Sequence, residues 1–330
     1  DWIETTFYYV RAGRAGGAYV SGDDLRQRVS DALEWLADND FIDLDGLDVE
    51  PTGLGRLASE YYLELPTARQ FADLAEAGVS EDDALTAVAT ATEFDSVSAR
   101  SDEEDAVAAV LGETGTASDL DSGSRKVLAI LRASTSGTTP AALRSDAWVI
   151  RQNALRLLAA LRAVVDRFGD GGDANLVRRV EARVETGISE GAVGLTAIDG
   201  VGTSRAQTLA AAGYDSPAAV AEASVSELAA AGLTEGVAER VIESARDLPA
   251  VAVEWDAFPD EIGRGKREMH EVRVRSTAGD ARAACRVTVN GVEMTAKSTY
   301  LGQTTLPVGV FGGSADELEF TVRVAFPDLP

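Results

Sequence analysis

A Gly-Val-Gly turn at residues 200–202 has the clearest potential for binding chemistry in this chain. Gly200 and Gly202 permit backbone angles that other residues avoid, so the turn can be tight and its N–H groups can approach a phosphate closely. The helix predicted to open at Thr203 and Ser204 would add the positive end of its dipole, and Arg205 lies in its first turn. These five residues predict a main-chain phosphate site that reads no base sequence. An ordinary helix–helix turn, which also favours glycine, is the alternative.

A looser second copy of this pattern occupies residues 228–238. Its turn is predicted at Thr234, Glu235 and Gly236, where the carboxylate of Glu235 would repel a phosphate. We therefore expect the second hairpin to be structural, with its apolar face packed against the first.

A stripe of arginines and one tryptophan marks a helix predicted from Pro140 to Phe168, about 29 residues and ~43 Å long. Arg144, Trp148 and Arg151 recur at four and three residues, and Leu155 continues the stripe. A base of single-stranded nucleic acid could stack on the indole while the guanidinium groups meet phosphates. Alternatively, Trp148 packs in a helical core beside Leu155, Leu158 and Leu161, with the arginines solvated. On either alternative, Arg151, Gln152 and Arg156 are candidate strand contacts.

Catalytic and metal-binding chemistry is not expected on this chain. Cys285 is the only cysteine and His270 the only histidine, and both lie in strand-like segments, which argues against a zinc site or a histidine-dependent triad. The sequence contains no Gly-x-x-x-x-Gly-Lys-Ser/Thr phosphate loop. A glycosylase that uses a Gly-x-Gly hairpin would need a lysine on the following helix, and none is present there.

The composition is strongly acidic. Asp and Glu number 55 against 30 Lys and Arg, giving a net charge of −25 and only three lysines, Lys126, Lys266 and Lys297. Such a balance normally argues against a polyanionic partner, but in a salt-rich cytoplasm the self-repulsion is screened within a few ångströms. We therefore expect a protein of a halophilic archaeon, whose net charge says little about its partners.

Neither a membrane-length apolar run nor a signal peptide occurs in the sequence, so we expect a cytoplasmic protein with no membrane partner. At 330 residues, the chain is long enough for several domains.

The periodicity of apolar residues divides the chain into four predicted domains. Residues 1–66 combine helices with a small hairpin about Asp45-Gly46, which predicts a winged helix in which Arg11 and Arg14 are weak contact candidates. Residues 67–190 are helical throughout and predict a bundle, residues 191–248 hold the two hairpins, and residues 249–330 alternate like the strands of a β-sandwich. The predicted fold is therefore multidomain and mainly α. The sandwich arginines Arg273, Arg275, Arg282 and Arg286 are expected on a solvated face or a partner surface.

This order of domains resembles the C-terminal Sec-sixty-three region of Ski-two-like superfamily-two helicases, over the whole chain. The residues that carry the resemblance are Thr6–Tyr9, Thr52–Tyr62 with Pro66–Ala68, and Glu93–Phe94 with Arg100–Glu104. It implies a winged helix, a ratchet-like long helix lying across a strand exit, a helix-hairpin-helix and an immunoglobulin- or fibronectin-III-like sandwich. The sandwich is the least similar part.

The resemblance implies a non-catalytic region that guides single-stranded or forked nucleic acid for helicase motor domains in cis. ATP and Mg²⁺ would be bound by those motors and not by this chain. Because the sequence begins without methionine inside a predicted winged-helix element, we expect an excised fragment of a longer helicase. The alternative is a protein-interaction scaffold that recruits a partner through the sandwich.

Overall fold

The computed structural model describes residues 22–46, 48–112, 116–255, 258–259, 261–278, 281–312 and 317–330. The apolar segment at Thr6–Tyr9 and the weak contact candidates Arg11 and Arg14 lie outside the described residues. The chain forms two compact units, Asp1–Arg69 and Gln70–Pro330.

The first unit contains helix α1 (Gly22–Asp38), the antiparallel strands β1 (Ile42–Asp45) and β2 (Asp48–Pro51), and helix α2 (Gly53–Glu60). Two residues after the hairpin, Thr52 and Gly55, have roles that local geometry explains. Thr52 caps α2 by accepting a hydrogen bond from the Gly55 N–H at 3.1 Å, and a Cβ on Gly55 would collide with the Phe41 carbonyl oxygen. Phe41 is buried and stacks on Trp35.

Six helices follow: α3 (Leu65–Ala77), α4 (Glu81–Ala89), α5 (Glu104–Leu111), α6 (Ser122–Thr135), α7 (Arg144–Phe168) and α8 (Gly171–Thr186). In the second unit, α6 is the central helix, buried along Lys126–Leu131 and packed against α4, α5, α7 and α8. Asp121 and Asp170 cap α6 and α8 through carboxylate bonds to backbone N–H groups.

The long helix α7 is shorter than the sequence predicted. It has 25 residues, and the preceding Ala141–Leu143 form a 3₁₀ turn after Pro140. At 1.5 Å per residue, α7 is about 37 Å long rather than the ~43 Å expected.

Five short helices build the hairpin region: α9 (Glu190–Val193), α10 (Thr203–Ala211), α11 (Pro217–Glu222), α12 (Val225–Ala230) and α13 (Glu235–Asp247). A 3₁₀ turn, Gly194–Ala197, extends α9. Both hairpins contribute to one apolar core, in which Leu195, Val201 and Leu209 of the first meet Leu228 and Val241 of the second. The predicted packing of the two copies against each other is therefore present.

The C-terminal strands are β3 (Ala250–Glu254), β4 (Arg267–Ala278), β5 (Arg282–Val289), β6 (Val292–Tyr300), β7 (Gln303–Phe311) and β8 (Phe320–Ala325). They form two antiparallel sheets of order β3-β4-β7 and β6-β5-β8. Val272, Cys285 and Leu306 belong to one core shared by the sheets. Asn290 and Gly291, both at positive φ, form the hairpin turn between β5 and β6.

Two sandwich arginines pair with the helical bundle rather than with solvent or a partner. Arg282 forms hydrogen bonds of 2.6 Å to both carboxylate oxygens of Asp166 and also binds Asp328. Arg286 Nη2 lies 3.1 Å from Asp170 Oδ1. The expectation of a solvated face or partner surface was therefore wrong for these two residues, because the sequence gives no sign that β5 lies against the ends of α7 and α8.

Among the described residues, no helix has both the length and the apolar character needed to cross a membrane.

Candidate nucleic-acid interface

The first hairpin presents the start of α10 to solvent. Gly200 has φ +78°, the left-handed conformation that favours glycine, and Val201 turns inward and is buried. Gly202 is the N-cap of α10 and offers no side chain, so no side-chain bond caps the first amides of the helix. Thr203 is half-buried, whereas Ser204 and Arg205 are exposed. The exposed N–H groups at this helix start can bind an anion.

Two details of this hairpin differ from the sequence analysis. Gly202 has φ −83° and ψ 178°, an extended conformation that any residue can adopt, so it does not use the special backbone angles that glycine permits. Its missing Cβ instead leaves open space beside the helix start. Arg205 Nη1 donates to the Gly200 carbonyl oxygen at 2.5 Å, so this side chain closes the turn, a bond that the sequence did not indicate.

The second hairpin has the same backbone plan as the first, and its turn lies two residues earlier than predicted. Gly232, at φ +110°, is its positive-φ glycine, Leu233 is buried, and Thr234 is the N-cap of α13. Glu235 and Gly236 lie in the first helical turn rather than in the hairpin turn. The predicted repulsion of a phosphate is retained, because the Glu235 carboxylate stands at the first position of the helix.

The N-terminal part of α7 forms a second exposed surface. The tryptophan at its centre, Trp148, is 65% exposed, and its neighbour Val149 is 60% exposed. The sequence left open whether Trp148 packs in the bundle core or faces solvent. In the part of the chain that the structure describes, it faces solvent. The reason is helical geometry: Ile150 faces the core, and two residues correspond to about 200° around the helix.

The remaining candidates of α7 surround this indole. Arg144 and Gln152 are exposed, whereas Arg151 and Arg156 are half-buried. Arg144 Nε donates to the Thr139 carbonyl oxygen at 3.3 Å, which keeps this side chain near the helix start. We call Arg144, Trp148, Arg151, Gln152 and Arg156 the α7 surface.

A buried ion cluster fixes the helical turn beneath Trp148, and sequence reasoning missed it. Lys126 Nζ, in the core, lies 2.7 Å from Glu103 Oε2 and 2.5 Å from Asp146 Oδ2. Arg100 Nη2 adds two bonds of 3.2 Å to the Asp146 carboxylate. Two features of the sequence could have indicated this cluster: the segment Arg100–Glu104 and the rarity of lysine in this chain.

The charges in this cluster hold one another ionised. Burial raises the pKa of Glu103, but hydrogen bonds from the Arg100 backbone N–H and from Lys126 lower it by more, so the net pKa lies below its ordinary value. The bond from Lys126 is the main cause of the lowered pKa of Asp146. Burial lowers the pKa of Lys126, and the two carboxylates more than compensate. The cluster therefore anchors α7 through charged groups at neutral pH.

The structure groups the candidate residues into two separate surfaces. Gly200, Gly202, Thr203, Ser204 and Arg205 adjoin one another at the first hairpin, and the α7 surface lies on another layer. Helix α7 packs on α8, and α8 packs in turn on α9, which precedes the hairpin. The two surfaces are therefore linked through the packing of α8.

The cysteine and the histidine lie in the sandwich. Cys285 is buried in its core, and burial raises the pKa of its thiol. His270 packs against Phe258, with ring centroids 5.4 Å apart. Both positions are those of packing residues.

The fold and these surfaces define an α-rich, multidomain protein in which a long helix and a helical hairpin are presented to solvent. Residues 51–302, more than half of the chain, match the family model described as the Sec63 Brl domain. The chain belongs to this family.

Two curated relatives from Arabidopsis thaliana match a shorter segment. They are the DExH-box ATP-dependent RNA helicases DExH12, 28% identical over 116 residues, and DExH13, 29% identical over 116 residues. Each match covers 32% of this chain and 5% of the relative. The chain thus corresponds to a small part of these helicases.

Proposed function

We propose that this chain is the non-catalytic accessory region of an ATP-dependent helicase and guides an unwound nucleic-acid strand. Motor domains in cis would bind ATP and Mg²⁺ and supply the force. The two Arabidopsis relatives are named RNA helicases, which favours RNA, but a site that contacts backbone and stacks bases does not itself distinguish RNA from DNA.

The exposure of Trp148 is the observation that carries this proposal. A large indole facing solvent costs free energy that a stacked base would recover, and base–aromatic stacking contributes about 1–3 kcal/mol per base. Arg144 and Arg151 flank the ring along the helix, where their guanidinium groups can meet phosphates on either side of the stacked base. In a chain of net charge −25, this pairing of arginines with an exposed aromatic ring favours a nucleic-acid strand.

The first hairpin would provide a second, weaker contact. The exposed N–H groups at the start of α10 favour a phosphate oxygen, and the absence of a side chain on Gly202 permits close approach. We propose that Gly200, Gly202, Thr203, Ser204 and Arg205 hold the backbone of the same strand.

The proposed domain plan is a winged helix at 1–66, a ratchet-like bundle at 67–190, a helix-hairpin-helix at 191–248 and an immunoglobulin- or fibronectin-III-like sandwich at 249–330. The acidic composition further favours a halophilic, salt-rich cytoplasm. Thermal unfolding measured from low to molar KCl tests this last point, because a stability that does not rise with salt would contradict it.

Fluorescence anisotropy with labelled single-stranded RNA and DNA oligonucleotides tests the function. We expect saturable binding by the wild-type chain and a loss of about tenfold for Trp148→Ala, near the low end of the ~1–3 kcal/mol range for stacking. Tyr300→Ala is the matched control, since Tyr300 is an exposed aromatic residue on the sandwich, 71% exposed. Its binding should equal that of the wild type.

Failure of the wild-type chain to bind either oligonucleotide would contradict the proposal. Equal losses for Trp148→Ala and Tyr300→Ala would also contradict it, because the effect would not belong to α7. Circular dichroism of both variants separates a lost contact from a lost fold.

The outer face of the sheet β3-β4-β7 favours a second candidate, the protein-interaction scaffold. Met269 and Phe311 are 71% and 54% exposed on adjacent strands, with Gly309 opposite Met269 and the Arg267 guanidinium over the Phe311 ring. Contiguous exposed apolar surface of this kind is typical of interaction sites. If a protein is captured by the wild-type chain, is lost with Met269→Glu, and no oligonucleotide binds, the scaffold is the better function.

A further inference from the structure

A groove of about 660 Å³ lies where the bundle, the hairpin region and the sandwich meet in the second unit. Its floor is one stripe of helix α8, running from Gly172 through Asn175, Leu176 and Arg179 to Arg183. At 1.5 Å per residue, this stripe is about 16 Å long. We call this space the junction groove.

One wall of the junction groove is formed by the hairpin region and the other by the sandwich. Glu190 and Pro217 belong to the first wall, and Arg323, Val324, Ala325 and Phe326 to the second. Asn175 Nδ2 donates to the carbonyl oxygens of Phe326 at 2.8 Å and Leu329 at 2.7 Å, which fixes the residues after β8 over the floor.

The second wall reaches the edge of strand β8, beyond the face on which the start of α8 packs. Successive side chains of a strand point to opposite sides, so a space lined by Arg323, Val324 and Ala325 together runs along the edge of β8. Among the described strands, β8 is the outer strand of its sheet and pairs only with β5. An outer strand presents backbone N–H and C=O groups to which a further strand can add.

The charges that line the junction groove favour an anion. Three arginines, Arg179, Arg183 and Arg323, face two carboxylates, Glu81 and Glu190. Arg183 uses Nη1 to bind Glu81 at 2.5 Å, while its buried Nε has no hydrogen-bond acceptor among the described residues. An excess of positive charge is uncommon in a chain of net charge −25.

Arg179 is half-buried and bonded to the hairpin wall of the groove. Its Nη2 donates to the Glu190 carbonyl oxygen at 3.0 Å. Burial is the main cause that lowers the pKa of Arg179 below its ordinary value; the nearby Glu190 carboxylate opposes this shift, and repulsion from Arg183 adds to it. A carboxylate brought into the junction groove would stabilise the charged form of Arg179 and offset its repulsion from Arg183.

We propose that the junction groove binds an extended, acidic peptide segment, which adds as a strand along the free edge of β8 and places carboxylates against the arginines of the floor and wall. Leu176, Val180 and Phe326 offer apolar surface to the alternate side chains of such a peptide. The backbone bonds supply affinity, and the alternation of acidic and apolar side chains supplies specificity.

A labelled octapeptide of alternating valine and glutamate is the probe, measured by fluorescence anisotropy with the full 330-residue chain. We expect saturable binding of this peptide and none of the corresponding valine–lysine peptide. Since alternate N–H groups of a strand point to one edge, N-methylation of one alternate set should abolish binding, whereas N-methylation of the other set should be tolerated.

Two substitutions connect binding to the junction groove without removing a bond that the structure shows. Arg323→Glu reverses an exposed charge, and Ala218→Trp fills the space from an exposed position on α11. Each should weaken peptide binding by about tenfold or more, as charge reversal or blocking of an interface does. Arg240→Glu is the control, because Arg240 is exposed on α13 outside the groove, and it should bind like the wild type.

Absence of saturable binding would overturn the proposal. It would also be overturned if both methylated peptides bound alike, or if Arg323→Glu and Ala218→Trp had no effect. Displacement of the peptide by a single-stranded oligonucleotide would assign the groove to nucleic acid instead. Gly202→Asp, which tests the first hairpin, should leave peptide binding unchanged.

Discussion

The two hairpins of residues 191–248 have the same backbone plan but present different chemistry to solvent. Gly200 and Gly232 both adopt positive φ, +78° and +110°, and each is followed by an apolar residue that turns into the shared core. The third position, Gly202 or Thr234, is the N-cap of the next helix. Up to this point, both copies meet the same packing requirements.

The difference begins one residue later, at the exposed helix start. The first copy continues with Thr203 and reaches Arg205, which donates to the Gly200 carbonyl oxygen, whereas the second continues with Glu235. Folding requires the glycine and the buried apolar residue, and these occur twice. Phosphate binding would require an uncharged or basic helix start, and that occurs only in the first copy. The comparison thus separates residues needed for the fold from residues available for a ligand.

The largest effect is expected from placing a carboxylate in the first hairpin. Gly202→Asp would set a negative charge at the helix start proposed to hold a phosphate, and we expect single-strand affinity to fall by about 30-fold, or ~2 kcal/mol. Aspartate is a good N-cap, so the helix itself should not be weakened. Anisotropy with a labelled single strand measures the change.

Thr234→Asp is the matched control at the equivalent position of the second hairpin, and we expect no change in affinity. Equal losses in the two variants would mean that both hairpins contact the strand, or that charge acts only at long range. Either result would remove the distinction between the copies.

The backbone requirement can be measured by replacing three glycines with alanine. Gly200→Ala should cost about 1–2 kcal/mol of unfolding free energy, because an L-residue in the left-handed region is strained. Gly232→Ala should cost at least as much, since its φ of +110° lies further from the left-handed minimum near +57°. Gly202→Ala, at φ −83°, should cost far less. Urea denaturation gives the order, and a large cost at Gly202 would contradict our description of the turn.

A smaller effect is expected from Arg205, which we propose both closes the turn and faces the strand. Arg205→Ala should weaken strand binding by about threefold and lower the salt slope of affinity by about one. Arg240→Ala is the control, because Arg240 makes a similar bond to the Gly236 carbonyl oxygen in the helix of the second copy. Titrations at several salt concentrations measure the slope. An unchanged slope would leave Arg205 with a purely structural role.

The hairpins also show what sequence could and could not establish. Element types were readable because apolar periodicity and capping residues are local: the helix predicted from Pro140 to Phe168 occurs as α7, Arg144–Phe168. Glycine identity alone could not distinguish Gly200, which needs its φ, from Gly202, which does not. In the second copy, Gly232 and Gly236 lie four residues apart, and the turn was predicted at Gly236 although Gly232 forms it.

Long-range pairing was beyond the sequence for a different reason. The Arg-Trp-Arg stripe of α7 was visible, but whether Trp148 faced the core depended on which helices pack against α7. The same holds for Lys126 with Asp146 and for Arg282 with Asp166, which join segments distant in the chain. Such pairs follow from tertiary packing, which one sequence does not contain.

The smallest effect is expected from making the second hairpin resemble the first. Glu235→Thr removes the carboxylate at the start of α13 and leaves Gly232 and Leu233 in place. Loss of the acidic residue from the first helical turn should cost about 0.3–1 kcal/mol of helix stability, and removal of its repulsion should raise strand affinity by about twofold. The gain is small because this copy has no counterpart of Arg205: Val237 stands at that position. Adding Val237→Arg should therefore raise the affinity further, whereas Val237→Arg alone, beside an intact Glu235, should not. If Glu235→Thr lowers strand affinity instead, the acidic hairpin is itself part of the interface, and charge at the helix start would not be what distinguishes the two copies.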